Sequence, residues 1–202
     1  YAYVATRARS RRSRLLPAEA YNQLLNLEHA EIARYIQDLE YRREIDRYGS
    51  TLSGADLIET ALVDNLAKDV GDFLSFSKGK LRDILHVYAE KYRIENLKNI
   101  VRGINQSMDK QNLERLVCPI NDSDKELYNK LYDSKSVEDV IASLEGTSYY
   151  NPLKKALEAR NSDSLQPLED ALDLIYYQNL VLNQPSGGAD VEVYRDFVQL
   201  KV

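Results

Sequence analysis

Apolar residues along most of this chain recur three and four positions apart, the spacing of one face of an α-helix. The strongest stripe runs through Leu57, Ile58, Ala61, Leu62, Leu66, Val70, Phe73 and Leu74. A second long stripe, from about Lys80 to Arg102, uses Leu81, Ile84, Leu85, Tyr88, Tyr92, Leu97, Ile100 and Val101. Gly103 follows it, where a glycine closing a helix is expected. Two such neighbours predict a long antiparallel helical hairpin.

Ahead of them the pattern is shorter. Residues 1–16 place Tyr1, Val4, Ala8 and Leu15 near one stripe, and Pro17 restarts the chain as a first-turn residue. Two amphipathic segments then reach Tyr48, the second using Ile32, Tyr35, Ile36 and Leu39, before the break at residues 48–54. Beyond Gly103 the helices shorten. Cys118-Pro119 ends one, and Ser123 with Glu126 has the form of a capping box for the next. Ser136 ahead of Glu138 and Asp139 opens another, Pro152 allows a further start, and Pro167 opens a helix reaching about Leu182. Residues 184–188 predict a turn, followed by a last helix to the end. Asn-Gly and Asp-Gly dipeptides are absent and apolar-polar alternation is scarce, so the expected fold class is all-α.

The pattern also repeats. ARYIQDLE (33–40) aligns with EDVIASLE (138–145) at an offset of 105, ETAL (59–62) with EDAL (169–172) at 110, and VYAEKYRI (87–94) with VYRDFVQL (193–200) at 106. Three matches in one order at nearly constant offset predict two helical units, 1–107 and 108–202. In the first copy the third match continues as ENLKNIVRG; in the second it stops at Val202, so the second unit is expected to be truncated. The missing initial Met likewise implies residues ahead of Tyr1.

Composition narrows the function. At 44% hydrophobic and 29% charged, with eight Gly and five Pro, the chain has the make-up of a helix-rich globular protein. Its 15 Tyr and absent Trp suit helix seams that stay partly wet. A single cysteine, Cys118, excludes an internal disulfide and fits a reducing compartment, as a small half-buried apolar residue. No run is long enough to span a bilayer and no signal peptide is visible. Net charge is −5, but residues 1–16 carry five Arg and no acid, which leaves −10 on the remainder and argues against nucleic acid as a partner. Arg7, Arg9, Arg11, Arg12 and Arg14 form either a face paired with acids or a contact with anionic lipid or an acidic partner protein.

Catalytic signatures are missing. There is no phosphate-binding glycine loop, and His29 and His86 lack metalloprotease spacing; Glu28-His29 fits a solvated helix pair better than a metal site. No catalytic, cofactor-binding or metal residue is assigned, and no cofactor is expected. A helical enzyme built on scattered carboxylates is the weakest of the readings.

Four segments carry a resemblance: YAYVATRARSRRSRLL at the start, IENLKNIVRG at 94–103, LEDALDLIYYQNL at 168–180 and YRDFVQLKV at the end. Together they resemble the C subunit of the archaeal and bacterial V/A-type ATPases, related to the d subunit of the vacuolar ATPase, although the family opening has Asn-Ala where this chain has Ala5-Thr6. The resemblance implies an all-helical, pseudo-threefold funnel of three similar units, of which this chain supplies about two. It further implies a non-catalytic central-stalk role on the cytoplasmic face of the membrane, with the proteolipid rotor ring and the central-shaft subunits as partners. The alternative is a helical-repeat adaptor that binds a soluble partner through a concave face.

Overall fold

The computed structural model describes residues 2–160, 163–182 and 194. The described residues form eleven helices and contain no strand, so the chain is all-α. Contacts divide it into two compact units, Tyr1–Ser77 and Lys78–Val202. The repeat boundary expected at 107/108 is a different kind of division and lies in the link after the longest helix, Lys80–Asn105.

The first unit holds α1 (Ala2–Arg12), α2 (Ala18–Leu24), α3 (His29–Gln37), α4 (Arg42–Tyr48) and α5 (Gly54–Phe76). Three helices, not two, occupy residues 18–48, because Glu28 begins a fresh helix: its N–H donates to the Glu31 carboxylate three residues on, at 3.0 Å. Helices α3, α4 and α5 pack on one another around Ile36, Ile45, Leu57 and Ala61. Leu39, Leu62 and Leu66, read from periodicity as inward-facing, are each about two-fifths exposed. The expected stripe on α1 is also unburied; no α1 residue is enclosed, and Leu15 lies beyond its end at 66% exposure.

The second unit is organised by α6 (Lys80–Asn105), 26 residues and roughly 39 Å long. Around it lie α7 (Lys110–Leu116), α8 (Asp122–Leu131), α9 (Val137–Ser143), α10 (Tyr150–Glu158) and α11 (Gln166–Leu182). Helix α6 packs on α7, α9 and α11, while α10 bridges α9 and α11. The core runs through Ile94, Leu97, Ile100, Leu113, Tyr128, Leu131, Val140, Leu144, Leu153, Leu168 and Leu172.

Two local expectations are corrected here. Gly103 is not the end of α6; it is buried inside the last turn, which continues to Asn105. A Cβ at Gly103 would collide with the Leu113 side chain, so glycine is required for the close approach of α7. The cap of α8 is Asn121, not Ser123: the Asn121 side chain accepts from the Asp124 N–H at 2.8 Å, starting the helix two residues before the expected cap could. Ser136 caps α9 as expected, accepting from the Asp139 N–H at 3.1 Å. The turn at 184–188 and the last helix lie outside the described residues, except for Tyr194, which is buried and donates to the Leu180 carbonyl at 2.6 Å.

Candidate functional site

The 94–103 segment that carries the resemblance is explained by three adjacent buried residues of α6. Asn96 uses its whole amide: Nδ2 donates to the Cys118 carbonyl at 2.8 Å, and Oδ1 accepts from the Cys118 N–H at 3.1 Å. Cys118 lies in the extended link before Pro119, where neither group has a helical partner, so Asn96 replaces the missing ladder. Leu97 is 1% exposed in the core. Lys98 is 6% exposed and its Nζ reaches Asp173 Oδ1 on α11 at 2.6 Å. One turn on, Arg102 forms a two-pronged pair with Glu169 at 2.7 and 2.6 Å. That pair holds the Glu169 carboxyl below its ordinary range. Antiparallel α6 and α11 are thus joined by two ion pairs one turn apart.

A second polar cluster sits nearer the start of α6. Arg93 Nε donates to Asp124 Oδ1 at 2.8 Å, and its Nη1 lies 3.5 Å from Glu90 Oε2. The other oxygen of Glu90 accepts from the Tyr149 hydroxyl at 2.6 Å. All four side chains are largely buried, and Asp124 Oδ2 has no hydrogen-bond partner among the described residues. A cleft of about 360 Å³ opens beside this cluster, lined by His86, Arg93, Asn121, Ser123, Asp124 and Tyr149, among others. Burial, then the neighbouring Arg93 and Arg82, lower the His86 pKa, so its imidazole is neutral at neutral pH.

Four more tyrosines give the seam its chemistry. The Tyr88 and Tyr92 hydroxyls are 2.9 Å apart, Tyr176 and Tyr177 rings lie 5.5 Å apart, and the Tyr176 hydroxyl is buried without a hydrogen bond among the described residues. Among the described residues, no three or more His, Cys, Asp or Glu side chains are grouped to hold a metal ion. His29 stands exposed at the first position of α3, far in sequence from the His86 cleft, and Glu28 is occupied in starting that helix. Sequence reasoning missed Glu90, Arg93, Asp124 and Tyr149, whose contacts span 31 and 59 residues and leave no local motif.

The arginine cluster is divided between paired and exposed side chains. Arg11 pairs with Asp69, and with Asp72 at 2.5 Å; Arg14 pairs with Glu40 at 3.1 Å. Arg7 stacks over the Tyr3 and Phe76 rings. Most of the cluster therefore fastens α1 to its own unit, and Arg9 and Arg12 are exposed.

The profile of the ATP synthase (C/AC39) subunit family matches residues 4–202 of this chain. The chain belongs to that family. Relatives within it include the C subunit of the A-type ATP synthase of Haloferax volcanii, 35% identical over 99% of this chain and 58% of its own length. That of Archaeoglobus fulgidus is 33% identical over 100% and 57%, and that of Methanosarcina acetivorans 31% over 100% and 55%. The present C/AC39 chain thus spans less than three-fifths of the length of the curated relatives it matches. Among the described residues, no helix is long and apolar enough to cross a membrane.

The buried tyrosines give this C/AC39 chain an alkaline limit. Burial raises the Tyr128, Tyr149 and Tyr92 pKa values, reinforced by Asp124, Glu90 and the Tyr88 hydrogen bond respectively, and pushes Tyr132 up to about 12. A raised folded-state value means that these groups contribute fully below the unfolded pKa, about 10 for tyrosine. Above it the unfolded chain releases protons first, so stability falls as pH climbs through the folded-state values. The urea midpoint should hold up to about pH 9 and fall steadily from about pH 10 to 12, in step with tyrosinate absorbance. A midpoint flat across that window would contradict the burial of Tyr128, Tyr132 and Tyr149 and the half-burial of Tyr92.

Proposed function

We propose that this chain is the main part of a non-catalytic central-stalk subunit that links the shaft of a V/A-type ATPase to the proteolipid rotor ring. In this role it transmits torque between ATP chemistry and ion transport. The observation that carries the reading is the match to the ATP synthase (C/AC39) subunit family over residues 4–202, with relatives named as C subunits of A-type ATP synthases. The all-helical fold supports it. A 26-residue helix braced by core packing and by ion pairs to α8 and α11 resists bending and sliding, which a torque-bearing part requires. The two repeated units belong to a pseudo-threefold funnel seated peripherally on the cytoplasmic face of the membrane.

The test is co-purification. Tagged chain added to detergent-solubilised membranes should retain both the proteolipid and the shaft subunits through gel filtration. Retention of neither would overturn the reading, and stable binding of a soluble protein without either would favour the adaptor.

A further inference from the structure

The polar cluster on α6 is short of a positive charge. Among the described residues, Arg93 is the only cation paired with Glu90 or Asp124, so one guanidinium serves two carboxylates. All three side chains are largely buried, and a buried charge without compensation is costly. Asp124 shows the deficit locally. Its side chain is 10% exposed, Oδ1 accepts from Arg93, and Oδ2 is enclosed without a hydrogen bond among the described residues. Asp124 also forms part of the wall of the 360 Å³ cleft, whose volume lies within the range of small-molecule sites.

We propose that this cleft, between α6 and the first turn of α8, binds a primary ammonium carried on an aliphatic stem. An ammonium is a compact charge with three donors, and it answers both the unmatched carboxylate and the unpartnered oxygen. The last torsion of an aspartate is broad, so a small rotation brings Oδ2 to the cleft with Oδ1 still in reach of Arg93. Leu97 and Leu127 give the stem an apolar wall, and Ser123 at the exposed rim adds a hydroxyl acceptor. At the mouth, neutral His86 accepts from exposed Arg82 at 3.4 Å, so the imidazole does not repel an incoming cation. An anion fits poorly. The start of α8 would favour one, yet its first turn already carries Asp122 and Asp124. The ammonium belongs either to a free polyamine or to a lysine of an adjoining protein, and the recognition chemistry is the same. The proposal rests on the second unit and not on the rotary role, so loss of ring or shaft binding leaves it standing.

The test uses the full 202-residue chain at low ionic strength, titrated with putrescine and with the capped peptide Ala-Lys-Ala. Binding is read by calorimetry and by the amide NMR signals of Asn121 and Ser123. At least one probe should bind saturably, and the tighter of the two identifies the source of the ammonium. Butanol, which keeps the stem without the charge, should bind about tenfold more weakly or not at all. Asp124→Asn should weaken amine binding by about tenfold or more. That change also weakens the hold on Arg93, so a second variant is needed. Ser123→Trp, at the exposed rim, should block the mouth and abolish binding while the urea midpoint stays near that of the unaltered chain. Absence of saturable binding by both amines overturns the proposal. Binding that survives both substitutions, or that butanol matches, overturns it equally.

Discussion

Arg93→Ala should lower the free energy of unfolding by about 3–5 kcal/mol, read as a fall in urea midpoint with an unchanged slope. The size follows from what is left behind. Arg93 lies between Asp124 and Glu90, with the three side chains 15%, 10% and 12% exposed. Removing the guanidinium leaves two largely buried carboxylates without the cation they share, while Glu90 still accepts from Tyr149. Truncating one partner of a buried network costs far more than the pair contributes net, because the desolvation of the other partner remains uncompensated. Asp124→Asn added to Arg93→Ala should therefore recover part of the loss, since a neutral amide needs no counter-charge. By contrast, exposed Arg12→Ala should change the unfolding free energy by no more than about 0.5 kcal/mol. Equal effects at the two arginines would mean that the cluster is solvated.

Leu172→Ala should cost about 2–5 kcal/mol, whereas Leu62→Ala costs about 0.5 kcal/mol or less. The two leucines hold the same place in ETAL and EDAL, so local sequence cannot distinguish them. Burial does: Leu172 is 1% exposed beneath α6, and Leu62 is 38% exposed on α5. Deleting Leu172 removes apolar transfer energy and leaves a cavity among residues already packed. Deleting Leu62 removes only part of that energy and leaves no hole. Matched chemical denaturation of the two variants reads the contrast directly, and a loss at Leu62 equal to that at Leu172 would show its face covered in solution.

How legible was this in the sequence? Helices α5, α6 and α11 were plain, because long periodic stripes bounded by Gly or Pro admit few alternatives. Caps were legible only where the side chain was unambiguous. Ser136 was; Ser123 competed with Asn121, and only the Asp124 N–H bond decided between them. Gly103 illustrates a different limit. A glycine near a helix end has the same appearance whether it ends the helix or admits a neighbour, and the neighbour here, Leu113, lies on another element. The polar cluster was illegible for the same reason. Glu90, Arg93, Asp124 and Tyr149 are ordinary in their own segments and acquire meaning only when α6, α8 and the start of α10 meet. The Asn-Leu-Lys at 96–98, within the segment that carries the resemblance, combines a backbone clamp, a core leucine and a charged tie.

That tie sets how the second unit responds to load. Lys98 faces Asp173 and Arg102 faces Glu169, so the two helices meet in a register with both charges matched. Sliding α11 along α6 by one turn, roughly 5.4 Å, would bring Lys98 opposite Glu169 but leave Arg102 against Leu165 and Asp173 against Ile94. Intermediate positions match neither pair. The contact therefore works as a detent: it holds one position stiffly, yields only in whole turns, and makes α6 and α11 move under axial force as one strut.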